Sequence, residues 1–195
     1  AYLLENRILL DAGGATPVLT LPEVEAIQAC VITHPHMDHV ASIPFLLDAR
    51  IGAGTLVVYG TRETVSALRL HMFNDKIWPD FQKIPDVRHP LLRYHEIERE
   101  RPFEIAGLEF RAIAVDHTVP TVGYFVREAK GTTVFFSADT GPTERIWKEV
   151  AAAENVRAVF LEVSFPNRLE RIAQQSKHLT PAMLRDELRK IPRSI

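Results

Sequence analysis

The sequence has a single cysteine, no long apolar run and little net charge, and each of these excludes some classes of protein. Cys30 is the only cysteine among 195 residues, which excludes an internal disulfide and any need for an oxidising compartment. No apolar run approaches the ~18 residues that span a bilayer. The net charge is −2, without a basic stripe, so nothing in the composition indicates an electrostatic nucleic-acid surface. The sequence therefore predicts a cytoplasmic protein with no membrane partner.

What is present fits an ordinary globular protein. The apolar fraction is 46% and the charged fraction 25%, and the length suits one well-buried domain. We find no internal repeat, low-complexity tract or linker, so residues 1–195 are predicted to form a single domain. Because the chain begins with Ala1 rather than Met, processing or truncation stays open.

The hydrophobic pattern predicts two groups of strands with helices between and after them. This order is typical of a layered α/β protein with mixed sheets. The segment between Phe73 and Pro90 is interrupted by prolines and is predicted to be a loop. Predicted strands cover residues 2–4, 7–10, 30–33, 55–59, 91–97, 103–105, 108–115, 122–126, 132–137 and 156–161, and predicted helices 40–50, 63–72, 143–153 and one after Thr180-Pro181.

One hexapeptide, His34-Pro-His-Met-Asp-His39, concentrates three imidazoles and a carboxylate. Neutral imidazole and carboxylate are ligands that suit zinc and related divalent ions. Alternate spacing in an extended segment places His34 and His36 on one side. Asp38 and His39 follow as the chain turns toward a helix, so they can reach a second ion. The hexapeptide predicts a two-metal hydrolytic centre.

Other candidates follow predicted strands or precede the last helix. His117 and Asp139 each come just after a strand, where loops carry chemistry in α/β folds. His178 is either an exposed loop residue or a general acid that titrates near neutral pH. Asp11 is either a carboxylate that orients a ligand histidine or a turn residue. Glu162 is either a partner of His178 or a structural contact, while His89 and His95 are interpreted as surface residues and His71 as a weak pocket candidate.

The order of these residues resembles the metallo-β-lactamase superfamily. The hexapeptide, followed by His117 and Asp139, is the superfamily pattern, and the likeness extends over almost the whole chain. Further segments are similar to the class II cyclic-nucleotide phosphodiesterases: residues 34–44, 71–81, 117–124, 137–142, 162–166 and 178–181. The resemblance implies a four-layer αββα sandwich. Related proteins continue into another strand with a further metal-binding histidine, and they have a strand before the start of this chain, so we expect a fold that is incomplete at both termini.

The resemblance also implies residue roles. One ion would be held by His34, His36 and His117, and the other by Asp38 and His39, with Asp139 bridging. His178 and Asp38 would be the catalytic residues. The two divalent ions are predicted to be Zn²⁺, with Mn²⁺ or Fe²⁺ as alternatives that satisfy the same ligands.

The function that the resemblance implies is hydrolysis of 3′,5′-cyclic nucleotides, cAMP or cGMP, to 5′-monophosphates. His178 would protonate the leaving 3′-oxygen, and Phe73, Trp78 and Phe81 are either a stacking wall for the base or core residues. The partner would be a small-molecule cyclic nucleotide rather than a nucleic acid, and a homodimer stays open. The alternatives are a ribonuclease Z-like tRNA 3′-endonuclease, another hydrolase of this fold, and an inactive metal-binding scaffold.

Overall fold

The computed structural model describes residues 1–192. The chain divides into two compact units, which we call the first unit, Ala1–Ile97, and the second unit, which begins at Glu98. Whether they form the single domain expected for residues 1–195 stays a prediction. Within residues 1–192, no helix combines the length and the apolar character that crossing a bilayer requires.

The first unit contains a five-stranded sheet in the order β1-β2-β3-β4-β5. The strands expected over residues 2–4 and 7–10 form an antiparallel hairpin of β1 and β2, as their polar Glu5-Asn6 connection predicts, and the other neighbours pair parallel. Parallel strands bring their carboxyl ends to one edge of a sheet, so the loops after β2, β3 and β4 share that edge. The strands are β1 (Tyr2–Leu4), β2 (Ile8–Leu10), β3 (Ala29–Val31), β4 (Leu56–Thr61) and β5 (Leu92–Ile97).

The helices of the first unit differ from the prediction at two places. The single helix expected over residues 40–50 is two helices, α2 and α3, because the Ser42 backbone N–H donates to the Ala12 carbonyl over 2.8 Å and Pro44 has no N–H to continue the ladder. A further helix, α1, escaped prediction although Thr20 and Glu23 form a capping box before it. The helices are α1 (Leu21–Ala26), α2 (Met37–Val40), α3 (Ile43–Ala49) and α4 (Arg62–His71).

The core of the first unit lies against one sheet and takes in the aromatic loop. Phe73 and Phe81 are buried in this core, and Trp78 packs against it half-buried. Phe73 and Phe81 are therefore core residues, because packing their rings against the apolar face of the sheet removes apolar surface from water. The interpretation of this segment as a stacking wall is wrong for Phe73 and Phe81.

The second unit contains another five-stranded mixed sheet, in the order β10-β9-β8-β7-β6. Only β9 and β10 pair parallel, and the other neighbours are antiparallel. Strands β7, β9 and β10 consequently run the same way and end at the same edge. The strands are β6 (Phe103–Ile105), β7 (Leu108–Val115), β8 (Thr121–Arg127), β9 (Thr133–Phe136) and β10 (Val156–Phe160).

Among residues 98–192, three α-helices and a short 3₁₀ helix, Asn167–Leu169, accompany the sheet. Helix α5 is amphipathic, and its Ile146 and Val150 pack on Ile113, Phe125 and Phe135 of the sheet. Helix α7 begins where the sequence places it, with Thr180 as its N-cap. Helix α6 was not predicted, since its polar sequence shows little apolar periodicity. The helices are α5 (Arg145–Ala152), α6 (Glu170–Ser176) and α7 (Pro181–Leu188).

Candidate metal centre

The hexapeptide changes from extended chain to helix between His34 and Met37. His34 follows β3, is buried, and has its Nε2 3.1 Å from Nδ1 of His36, the residue that caps α2. The two rings thus bring one nitrogen each to the same place, as the alternate spacing predicts. Two imidazole nitrogens gathered in this way are suited to a divalent cation.

The other two candidate ligands of the hexapeptide, Asp38 and His39, lie on the first turn of α2. Asp38 is exposed, and its Oδ2 lies 3.6 Å from Nε2 of His39, which is largely buried. The turn toward a helix that the sequence predicts is therefore confirmed. It brings a carboxylate and an imidazole together as a second pair of candidate ligands.

Asp11, directly after β2, contacts the histidine of this pair. Its Oδ2 accepts a hydrogen bond from His39 Nδ1 at 2.8 Å, and its Oδ1 accepts from the Thr33 backbone N–H at 2.9 Å. Asp11 has a left-handed backbone, with φ of 56°, which non-glycine residues adopt rarely and mostly where function or a turn requires it. Of the two open interpretations, the structure favours the carboxylate that orients a histidine.

The loop after β2 and helix α2 approach so closely that Gly13 admits no side chain. A Cβ at Gly13 would lie 1.4 Å from the carbonyl oxygen of Asp38. The same contact is supported by the hydrogen bond from the Ala12 N–H to the His39 carbonyl, 2.7 Å long. Glycine is therefore required here for close backbone approach rather than for its φ.

In the second unit, three of the predicted residues gather at the shared strand edge. Asp139 Oδ2 lies 3.9 Å from Nε2 of His117 and 4.0 Å from Nε2 of His178. The two rings meet edge to face with centroids 4.9 Å apart. The Nδ1 of His117 lies 3.3 Å from the carbonyl of Lys177, so the ring is held from behind.

Glu162 completes this group. Its Oε1 lies 2.8 Å from Nδ1 of His178, and the candidate ligand atoms of Asp139, Glu162 and His178 lie within 4.8 Å of one another. Burial raises the pKa of Glu162, and hydrogen bonds from Ser164 and His178 oppose that rise. Such a carboxylate is suited to holding an imidazole in one orientation and to stabilising its protonated form.

Two residues beside this group have left-handed backbones. Ala138 precedes Asp139 with φ of 56°, and Lys177, the C-cap of α6, precedes His178 with φ of 55°. The Lys177 ammonium lies 2.7 Å from Asp116, the residue before His117. Sequence reasoning missed Lys177 and Asp116, whose only signal is that they adjoin candidate histidines.

The family comparison agrees with this geometry. Residues 6–192 match the model of the family described as the beta-lactamase superfamily domain. The chain belongs to that family. The fold class expected from the sequence, the α/β metallo-β-lactamase sandwich, is confirmed by this match and by solved structures. Membership in this family implies a site for divalent metal ions.

Several relatives of the chain carry names of phosphodiester-cleaving enzymes. It is 22% identical over 185 residues to a probable 3′,5′-cyclic-nucleotide phosphodiesterase of Yersinia pestis, covering 86% of this chain and 52% of that protein. It is 32% identical over 143 residues to ribonuclease Z of Kineococcus radiotolerans, covering 67% of this chain and 42% of that protein. The chain thus spans about half the length, or less, of these curated relatives.

Solved structures of this superfamily show the same fold. Unliganded yeast PDE1 superposes with a TM-score of 0.76 at 21% identity, covering 87% of this chain and 53% of that one. The short form of human tRNase Z superposes with a TM-score of 0.67 at 19% identity, covering 96% and 78%.

The remaining histidines lie outside the two gathered groups. His71, at the end of α4, is exposed, and so are His89 and His95. His89 lies 3.6 Å from Asp86, and the His95 ring packs 4.8 Å from that of Tyr59. The surface interpretation of His89 and His95 is confirmed, and the exposed position of His71 gives no support to its interpretation as a pocket residue.

Proposed function

We propose that this chain provides the catalytic centre of a metal-dependent phosphodiesterase that hydrolyses 3′,5′-cyclic nucleotides to 5′-monophosphates. The observation that carries the proposal is the Glu162–His178 pair beside Asp139, because cleavage of an alkyl phosphodiester requires a proton donor for the departing alkoxide. The cyclic-nucleotide class is supported by the names of relatives whose alignments cover 86% and 84% of this chain.

We also propose the ligand assignment that the family resemblance implies. The family match runs from residue 6 to residue 192 and so includes both sets of candidate ligands. His34, His36 and His117 would hold one ion, Asp38 and His39 the other, and Asp139 would bridge them. These donors are imidazoles and carboxylates, and the one thiol, Cys30, is fully buried in β3 with its pKa raised to about 12.

This donor set fits Zn²⁺, and Mn²⁺ or Fe²⁺ accept the same ligand types. When bound, the ions supply positive charge for the phosphoryl oxygens and activate a hydrolytic water near neutral pH. The protein residues supply the rest. His178 Nδ1–H donates to Glu162, so Nε2 is the nitrogen that carries the second proton and delivers it to the leaving 3′-oxygen.

The test compares two substrates whose leaving groups differ in their need for a proton, so that a loss of proton donation can be told apart from a loss of binding. His178→Ala should lower cyclic AMP turnover by ~10²–10⁴-fold, the usual contribution of a positioned acid. It should lower hydrolysis of bis(p-nitrophenyl) phosphate far less, because p-nitrophenolate leaves without a proton. His89→Ala is the matched control, since His89 is exposed. Equal losses on both substrates would remove His178 from the proton-donor role.

A second candidate is a ribonuclease Z-like tRNA 3′-endonuclease, which the 32% identity to the Kineococcus radiotolerans ribonuclease Z favours. The same purified protein, loaded with Zn²⁺ or Mn²⁺, should be offered cyclic AMP, cyclic GMP and a precursor tRNA. Turnover of the precursor tRNA without turnover of cyclic nucleotides would replace the first proposal. Elemental analysis decides against both if the protein retains no metal, which would support the inactive scaffold.

A further inference from the structure

One carboxylate and one hydroxyl hold two imidazoles of the hexapeptide. Thr33 Oγ1 lies 3.0 Å from each oxygen of Asp11 and 2.9 Å from Nδ1 of His34. Asp11 Oδ2 lies 2.8 Å from Nδ1 of His39, and Thr33 Oγ1 lies 3.4 Å from the same nitrogen. Both rings are therefore contacted at Nδ1, by oxygen atoms of two neighbouring side chains.

Proton counting fixes the direction of these hydrogen bonds. A threonine hydroxyl has one proton, and a carboxylate only accepts. If the Thr33 proton faced His34, the hydroxyl lone pairs would face both carboxylate oxygens of Asp11 at 3.0 Å. The proton therefore goes to Asp11, and the Thr33 oxygen accepts from the Nδ1–H of His34. By the same rule, Asp11 accepts from the Nδ1–H of His39.

We propose that Thr33 and Asp11 are positioning residues that keep His34 and His39 in the Nδ1–H form, so that Nε2 of each is the metal-binding atom. This inference rests on the proposed metal centre but not on its substrate. A ring with its proton at Nδ1 has its lone pair at Nε2, and a free imidazole side chain prefers the opposite tautomer. Thr33 thus acts on His34, and Asp11 acts on His39 directly and on His34 through Thr33.

The Thr33 hydroxyl is separable from the rest of this arrangement. The Thr33 backbone N–H donates independently to Asp11 Oδ1, at 2.9 Å, and a substitution of the side chain leaves that bond in place. Thr33→Val keeps the shape of the side chain and removes the hydroxyl, whereas Thr33→Ser keeps the hydroxyl. Thr64→Val is a matched control, because Thr64 is also fully buried in the first unit but lies on α4.

The first measurement is made on metal-free protein. Nitrogen-15 NMR of the histidine rings should show His34 and His39 as Nδ1–H tautomers in the wild type, in Thr33→Ser and in Thr64→Val. Thr33→Val should shift His34 toward the Nε2–H tautomer and shift His39 much less, because the shorter contact of His39 Nδ1, at 2.8 Å, is with Asp11 rather than with Thr33, at 3.4 Å. Asp11→Asn should shift His39, because an amide nitrogen placed at the Oδ2 position cannot accept from Nδ1–H. Wild-type tautomers in Thr33→Val would overturn the role of Thr33.

The second measurement is the affinity for Zn²⁺ by isothermal titration. Loss of a group that supports a ligand typically costs ~10–100-fold in metal affinity, so Thr33→Val should lose that much and Thr33→Ser much less. Equal affinities of the wild type and Thr33→Val would contradict the inference. If Thr33→Val fails to fold, the contrast between Thr33→Ser and Asp11→Asn decides. A protein that binds Zn²⁺ as expected but turns over no cyclic nucleotide would refute the proposed substrate and leave this inference standing.

Discussion

The two units present their candidate ligands in opposite ways. In the first unit, the hexapeptide His34–His39 carries all of them within six consecutive residues, and Asp11 supports His39 from the end of the neighbouring strand. In the second unit, the residues come from separate loops. His117 and Asp139 follow β7 and β9, which end at one edge of the sheet, and His178 follows helix α6. A contiguous motif is set by local geometry, whereas a dispersed group depends on the registration of a whole sheet.

The largest expected effect tests whether the two groups act together. His34→Ala and His117→Ala should each lower cyclic-nucleotide turnover by at least ~10³-fold, because residues that only support a ligand already cost ~10–100-fold. Metal content by elemental analysis should fall in both variants. Full activity of His117→Ala would confine the centre to the hexapeptide and break the comparison.

Gly13 tests how tightly the first unit holds its motif. Gly13→Ala should destabilise the protein by about 1–3 kcal/mol, the usual cost of forcing extra atoms into a packed site. Urea unfolding monitored by circular dichroism measures it. Gly14→Ala is the control, since no atom lies within 4 Å of a Cβ there and its φ is ordinary. Equal stabilities of the two variants would contradict the close approach to Asp38.

Cys30 gives a pH test of the strand beneath the hexapeptide. Burial raises the pKa of Cys30 to about 12, above the ~8.5 of an unfolded thiol. Between these two pH values, the thiol ionises in the unfolded chain but not in the folded protein. Stability from this group is therefore fully present below pH ~8.5 and is lost as the pH rises toward 12. Between pH 7.5 and pH 10, the wild type should lose about 2 kcal/mol more than Cys30→Ala. Equal losses of unfolding free energy in the two proteins, measured by urea titration, would contradict the burial of the Cys30 thiol in β3.

The smallest effect compares equivalent helix caps in the two units. Thr61 accepts from the Thr64 N–H at 3.4 Å at the start of α4, and Thr180 accepts from the Met183 N–H at 3.3 Å at the start of α7. Thr61→Ala and Thr180→Ala should each cost about 1 kcal/mol of unfolding free energy. The serine variants are the controls and should stay close to wild type. Caps of very different value would show that one unit depends on its helix more than the other does.

The sequence predicted what local chemistry determines. The hexapeptide, the strand pattern and the start of the last helix after Thr180-Pro181 could be identified because each depends on neighbours in sequence. The split between α2 and α3 could not, since it arises from the Ala12 carbonyl, which reaches Ser42 from another part of the chain. The same holds for the bond between Asp11 and Thr33.

In the second unit, less followed from residue patterns alone. His117 and Asp139 are each ordinary after a strand, and only their order beside the hexapeptide, in the likeness to a known superfamily, singled them out. The tie between Lys177 and Asp116 stayed out of reach, because a lysine and an aspartate far apart in sequence carry no signal of contact. Helix α6 escaped because its polar residues give no apolar stripe to detect.

The left-handed backbone of Lys177 links the end of helix α6 to the position of His178. The helix ends at Lys177 and His178 is the next residue. The direction of the His178 imidazole therefore depends on the number of residues in α6. One residue more or fewer turns a helix end by about 100°. Helix α6 supplies no candidate ligand, and its contact with His178 is through the backbone, where the His178 N–H donates to the Ala173 carbonyl at 2.8 Å. Its length nevertheless sets the direction of the His178 imidazole, so we expect insertions in α6 to disturb the candidate site as much as a change in a distance between two side chains.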